Sequence, residues 1–150
     1  MEELERALKK AERGKAAGDD ECINEVLKEG GIEMRKSLLL LFRKMWQEEQ
    51  IPIDWARGII VPLYKDGDSR NVDNYRGITL LSVVGKLYTS ILNNRISKWL
   101  EKENKIVDEQ AGFREKRSTV DQIFILKELI LARKKKKKKT FCCFLDIRKA

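Results

Sequence analysis

The sequence predicts an α+β fold in which helices surround a β-hairpin and one further strand follows. Three observations carry this reading. Gly58 to Tyr64 and Tyr75 to Leu81 are apolar-rich runs joined by Lys65-Asp66-Gly67-Asp68 and a polar stretch through Asn74, which is a hairpin pattern. On either side of it, apolar residues recur at helical spacing. Finally, Phe141 to Leu145 is apolar without alternation, the pattern of a strand (Thr140 to Ile147) buried on both faces, with Asp146 near its exit.

Taken in order, Leu4, Ala7, Leu8 and Ala11 predict a short amphipathic helix. Gly14 to Asp20 breaks it, and Asp19 or Asp20 is expected to cap a helix with Ile23, Val26 and Leu27 on its apolar face. Gly30-Gly31 ends that helix. The next runs from about Glu33 to Glu49 with Met34, Leu38, Leu41, Phe42 and Met45 inward, and Pro52 closes the section. Pro62 gives the first hairpin strand an edge position or a bulge. A long helix from about Ser82 to Glu103 carries Val84, Leu87, Tyr88, Ile91, Leu92, Ile96, Trp99 and Leu100 on one face. A loop holding Gln110, Gly112 and Phe113 leads to a capping box at Thr119 and Gln122. The helix it starts presents Val120, Ile123, Phe124, Lys127, Ile130 and Leu131. Trp46, Trp55 and Trp99 are expected to serve in the core or in helix packing, with no spaced aromatics for base stacking.

Composition narrows the function. Hydrophobic residues make up 42% and charged residues 37% of 150 residues, and no apolar stretch approaches the length of a bilayer span. No secretion signal is expected at the N-terminus. Lys and Arg total 32 against 24 Asp and Glu, a net charge of +8, which favours an anionic partner, most commonly nucleic acid. Cys22, Cys142 and Cys143 form no disulfide framework, and a reducing compartment is expected. The chain has no histidine, so triads and Cys/His metal sites are excluded.

The chemistry-bearing residues leave alternatives open. Asp146 reads as a strand-terminal carboxylate paired with Lys or Arg, or as an oxygen ligand to a hard cation such as Mg²⁺. Lys65 by itself reads as a solvated turn residue. Gly18-Asp19-Asp20 resembles a paired-aspartate metal motif, but it lies between two amphipathic helices and reads as cap and loop. Arg133 to Lys139 is an uninterrupted basic run, suited to any polyanion or to a nuclear address, or simply a solvated loop.

Motif order adds a second line. Gly14-Lys15-Ala16-Ala17-Gly18-Asp19-Asp20 is followed by Pro52-Ile53-Asp54-Trp55, then Ile60 to Asp68, then Asn74-Tyr75-Arg76-Gly77-Ile78-Thr79-Leu80-Leu81. Gln110-Ala111-Gly112-Phe113-Arg114, Arg117-Ser118-Thr119 with Asp121, and Phe144-Leu145-Asp146-Ile147-Arg148-Lys149-Ala150 complete the series. In this order they resemble the reverse transcriptase of non-LTR, LINE-type retrotransposons, over about Gly14 to Ala150. Ala17 and Gly77 stand where that family usually has proline, which alters only local loop stiffness.

The resemblance implies the fingers subdomain of a right-hand polymerase with an N-terminal extension (1–139) and the start of the palm (140–150). It implies two-metal nucleotidyl transfer, with Asp146 and the backbone carbonyl of Ile147 as Mg²⁺ ligands. Lys65 and Arg76 would hold the incoming deoxynucleoside triphosphate, and Lys15, Arg114 and Arg117 would touch nucleic acid. Gln110 would border the template path or bond local backbone. The implied partners are an RNA template, a DNA primer and the remainder of the polymerase chain, with no membrane, in a nuclear or cytoplasmic setting. The second catalytic motif, Phe/Tyr-Ala-Asp-Asp, does not occur, so these 150 residues alone are expected to be inactive, and the final strand to aggregate or stay disordered without its neighbours. A non-catalytic RNA-binding fingers module, an intron-encoded reverse transcriptase fragment and a plain helical interaction protein are the competing readings.

Overall fold

The computed structural model describes residues 1–146, and the chain divides into two compact units, Met1–Lys98 and Trp99–Ala150. Ile147, the expected backbone ligand, lies outside the described residues.

The first unit is built on a helical core. Helix α1 (Glu2–Lys10), α2 (Asn24–Glu29), α3 (Gly31–Glu48) and the start of α4 (Val83–Lys102) supply its buried side chains. Leu4, Ala7 and Leu8 come from α1, Leu27 from α2, Leu38, Phe42 and Met45 from α3, and Val83, Leu87 and Ile91 from α4. The spacing-based faces of α1, α3 and the start of α4 are therefore largely correct, whereas Ile23, Val26, Leu41 and Ile96 are exposed and Met34 only packs at the margin. An aromatic cluster closes one side: Phe42 lies 5.1 Å from Tyr88 and 6.4 Å from Trp55, centroid to centroid, in the tilted and edge-on geometries that ring quadrupoles favour. Gly85 lets Trp55 sit this close, since a Cβ there would meet the indole at 3.2 Å. Trp55 thus packs as expected, whereas Trp46 and Trp99 are more than half exposed. Trp46 instead underlies the Arg95 guanidinium, 5.8 Å from the ring centre, and Arg95 forks onto Glu3 at 2.9 and 2.6 Å.

The loop from Ala11 to Ile23 is wired to its surroundings. The Gly14 N–H donates to Glu25 at 2.6 Å, the Asn24 amide to the Glu12 carbonyl at 2.6 Å, and Lys28 to the Ala11 carbonyl at 2.6 Å. Gly18 is buried against the β2–α4 junction, where a Cβ would stand 2.5 Å from the Leu81 carbonyl carbon. Asp20 accepts from the Cys22 N–H within the loop, and Ile23 occupies the cap position of α2, so the cap expected of Asp19 or Asp20 is not formed. The aspartate side chain closes a local turn before the helix begins.

Strands β1 (Gly58–Tyr64) and β2 (Tyr75–Leu81) pair antiparallel with the boundaries the sequence predicts. Pro62 stands in register opposite Gly77 without a bulge; the Lys65 N–H bond to the Asn74 carbonyl puts Pro62 and Gly77 among the non-hydrogen-bonded pairs, so the missing N–H faces outward and costs no ladder bond. The expectation of helices surrounding the hairpin is corrected: nearly every strand residue is exposed, and the core lies among the helices instead.

In the second unit, the turn that follows α4 puts Asn104 in a left-handed conformation, with the Lys105 N–H returning to the Leu100 carbonyl. Helix α5 (Thr119–Lys135) starts one residue earlier than the expected box: Ser118 is the cap and Asp121 its partner, with bonds of 3.2 and 2.9 Å. A charged carboxylate makes the stronger bond to a backbone N–H, so Asp121 outcompetes Gln122. No residue of α5 is buried, and its apolar side chains run all around the helix instead of along one stripe. Residues 140–146 carry no regular structure, and Phe141, Phe144 and Leu145 are exposed, so the expected buried strand is not present among the described residues. A strand requires a ladder partner, and among the described residues β1 and β2 pair only with each other.

Candidate functional site

The hairpin presents two cations on one face. Strand alternation puts Val61 and Leu63 on the same side as their partners Ile78 and Arg76. The ladder continues one step further, with the Lys65 N–H donating to the Asn74 carbonyl at 2.8 Å. Lys65 therefore follows Leu63 on the face that carries Arg76. Tyr64 and Tyr75 occupy the opposite face, ring centres 5.5 Å apart. Both cations are exposed, and neither has an acidic partner among the described residues.

The loop that follows Lys65 is held by its own side chains. Tyr64 donates to the Gly67 carbonyl, Tyr75 to the Ser69 carbonyl at 2.8 Å, and the Asn74 amide to the Asp68 carbonyl at 2.9 Å. Asp68 accepts from the Arg70 N–H and Asn71 from the Asp73 N–H. Gly67 adopts φ +87°, and a Cβ there would meet the Asn74 amide nitrogen at 2.6 Å, so glycine is required on both counts. A two-stranded ribbon is marginal by itself. These bonds are what give the base of the loop, and so Lys65, a defined backbone.

Lys15 lies on the wired N-terminal loop, exposed, and pairs with Glu12 at 2.8 Å. That pairing raises its pKa and leaves its ammonium at the surface. In the second unit, Arg117 is partly exposed and reaches Asp108 at 3.4 Å.

Arg114 behaves differently from its expected role. Its side chain is only 9% exposed and forks onto Glu101, Nε to Oε1 and Nη2 to Oε2, both at 2.8 Å. Its Nη1 donates to the carbonyls of Val107 at 3.0 Å and Gln110 at 3.3 Å. The guanidinium is committed to protein acceptors and clamps the loop to the end of α4, so the phosphate contact expected of it finds little free donor capacity. The hydrogen bonds from Arg114 lower the Glu101 pKa and raise that of Arg114. Glu101 was missed in the sequence because no helical or strand spacing links it to Arg114. The clamp also fixes its neighbour Phe113, fully exposed with φ +61°. The Gln110 carbonyl serves local structure here.

Asp146 is exposed. Among the described residues no three His, Cys, Asp or Glu side chains gather in a metal-binding group, and Asp19 and Asp20 do not form one either. One carboxylate does not fill the octahedral shell of Mg²⁺, so these residues fit such an ion as a single ligand and not as a complete site. No described helix is long and apolar enough to cross a membrane. A cavity of about 430 Å³ in the first unit, bordered by Leu4, Phe42, Trp46, Tyr88 and Arg95, is lined by packing residues and the Glu3–Arg95 pair.

The stretch from the hairpin onward matches a known family. The chain belongs to the reverse transcriptase (RNA-dependent DNA polymerase) family, whose model matches residues 64–150. Three of its curated relatives are RNA-directed DNA polymerases, two of them probable, of mobile elements from Drosophila melanogaster. The chain is 30% identical over 151 residues to the probable RNA-directed DNA polymerase from transposon X-element, covering 99% of this chain and 16% of the relative. It is 29% identical over 153 residues to the probable RNA-directed DNA polymerase from transposon BS, covering 100% and 17%. It is 26% identical over 151 residues to the RNA-directed DNA polymerase from mobile element jockey, covering 100% and 16%. The chain thus spans about a sixth of the length of these relatives. The resemblance to LINE-type retrotransposon enzymes is borne out. Reverse transcriptases generally use divalent metal ions.

Proposed function

We propose that this chain is part of a retrotransposon RNA-directed DNA polymerase and supplies its grip on the incoming deoxynucleoside triphosphate together with one ligand of its metal site. The observation that carries the reading is the placement of Lys65 and Arg76 on one face of the hairpin, exposed and without acidic partners among the described residues, beside a loop that bonds to itself. Arg76 offers a planar fork and Lys65 a compact charge, a combination suited to adjacent phosphate groups. Asp146 is the proposed carboxylate ligand for Mg²⁺, with the Ile147 carbonyl beside it in the sequence. When bound, the ion would neutralise phosphate charge during nucleotidyl transfer.

Lys15 and Arg117 remain proposed contacts to template or primer phosphates, and Arg114 is reassigned to holding the loop that leads to Arg117. In this reading residues 1–139 form an N-terminal extension and fingers, and 140–150 begin the palm of a right-hand fold. The partners are an RNA template, a DNA primer, deoxynucleotides and further polymerase sequence. The setting is inside the cell, nuclear or cytoplasmic, where those substrates occur. With one carboxylate for the metal, the 150 residues alone bind without polymerising.

The test is binding of a fluorescent deoxyadenosine triphosphate analogue to the chain in Mg²⁺. Lys65→Ala combined with Arg76→Ala should weaken it at least about tenfold, since a charge-assisted hydrogen bond is worth ~1.5–3 kcal/mol. Unchanged affinity would remove both residues from the site. RNA binding with no nucleotide binding by the unaltered chain would favour the non-catalytic module. Primer extension by these residues alone would refute the assignment of an inactive portion.

A further inference from the structure

The basic run after α5 is not absorbed by the nucleotide grip, and it is folded. Arg133, Lys134 and Lys135 form the last turn of α5. The N–H groups of Lys136 and Lys138 return to the Arg133 carbonyl at 3.1 and 3.0 Å, and that of Lys137 to the Lys134 carbonyl at 2.9 Å. Lys137 sits in the left-handed region at φ +54°. The Arg133 guanidinium then donates to the Lys139 carbonyl at 2.9 Å through Nη2 and 3.3 Å through Nε. The run is therefore a closed knob at a helix C-terminus, where the helix dipole favours positive charge.

All seven side chains are exposed, and none makes an ion pair among the described residues. The sequence holds no acidic residue from Leu129 to Leu145. Concentrating so many like charges in one turn costs repulsion unless an anion of matching density relieves it. A nucleic-acid backbone offers that density, one phosphate every few ångströms. Lys139 is seven residues from Asp146, so even a fully extended connection keeps the knob within about 25 Å of that carboxylate.

We propose that Arg133–Lys139 is a nucleic-acid-binding knob that holds the phosphate backbone of a strand within reach of Asp146. Arg133 shapes the turn, and Lys134 to Lys139 make the contacts. This site is separate from the hairpin, and its failure would leave the nucleotide reading untouched, because the two are probed with different ligands.

The experiment is titration of the full chain with a fluorescein-labelled 25-nucleotide single-stranded RNA across a salt series. Replacing Lys134 to Lys139 with Gln should flatten the slope of log affinity against log salt by about 2 or more, given ~0.7 per neutralised phosphate on a single strand. In the unaltered chain, RNA should slow acetylation of Lys134 to Lys139, read by mass spectrometry, which needs no variant to fold. An unchanged slope, or acetylation rates indifferent to RNA, would overturn the proposal. Tighter binding to vesicles with 30% phosphatidylserine or to polyglutamate than to RNA, lost in the same variant, would also overturn it, in favour of a membrane surface or an acidic protein.

Discussion

Arg114 and Glu101 meet through two parallel hydrogen bonds of 2.8 Å, and the same guanidinium ties down two loop carbonyls. The pair joins the end of α4 to the loop that leads into α5. Because Arg114 is nearly enclosed, its removal leaves the carbonyls of Val107 and Gln110 without their donor.

Arg114→Ala should therefore raise amide hydrogen exchange across 105–117, with Arg114→Lys restoring little of the protection because an ammonium cannot fork. The clamp also has a pH sign. The bonds from Arg114 lower the Glu101 pKa in the folded chain, so the contribution is present above the ordinary carboxylate pKa and is lost as pH falls through the lowered folded value. Exchange in 105–117 should accelerate, after correction for intrinsic rates, below about pH 4. Protection that stays flat from pH 7 to pH 3 would contradict this.

Gly67→Ala should disorder the hairpin loop. A left-handed residue with a Cβ costs ~1–2 kcal/mol, and the clash with Asn74 adds to it. The expected readout is loss of amide protection at Lys65 and a weaker deoxynucleotide analogue affinity, with helical circular dichroism unchanged.

Gly18→Ala should destabilise the first unit through the opposite cause, contact with backbone and not conformation. Its Cβ would press on the Leu81 carbonyl and the Ser82 nitrogen, neither of which can rotate away. Overpacking of this kind costs ~1–3 kcal/mol, visible as a lower thermal midpoint.

Phe42→Ala removes the ring shared by Trp55 and Tyr88 and opens the centre of the helical core. A loss of ~3–5 kcal/mol is expected, enough to unfold much of the first unit at ambient temperature. Retained near-ultraviolet dichroism from Trp55 at 37 °C would show that the cluster is not the keystone of the core.

The hairpin was legible to the residue because its signals are local: apolar runs, an Asp-Gly step and polar Asn71 and Asn74. Helices α1, α3 and α4 were legible because one stripe of each is buried. The failures share a different cause. Residues 141–145 have strand composition, yet hydrogen-bond partners decide whether a strand forms, and no local pattern names them. α5 is apolar on every side, so periodicity could not say which face would be covered. Arg114 read as a free cation because its carboxylate lies 13 residues away, at a separation no regular element prescribes. Of the proposed site, the residue types were visible in the chain, while the shared face of Lys65 and Arg76 required the strand register.

The bonds that Tyr64, Asp68, Asn71, Asn74 and Tyr75 make at the tip between the two strands run among residues 64–75. Such a segment carries much of its own scaffolding. It can be transplanted onto an unrelated ribbon of the same pairing and keep its outline, whereas a substitution at Tyr64 or Asn74 would unravel it in any host.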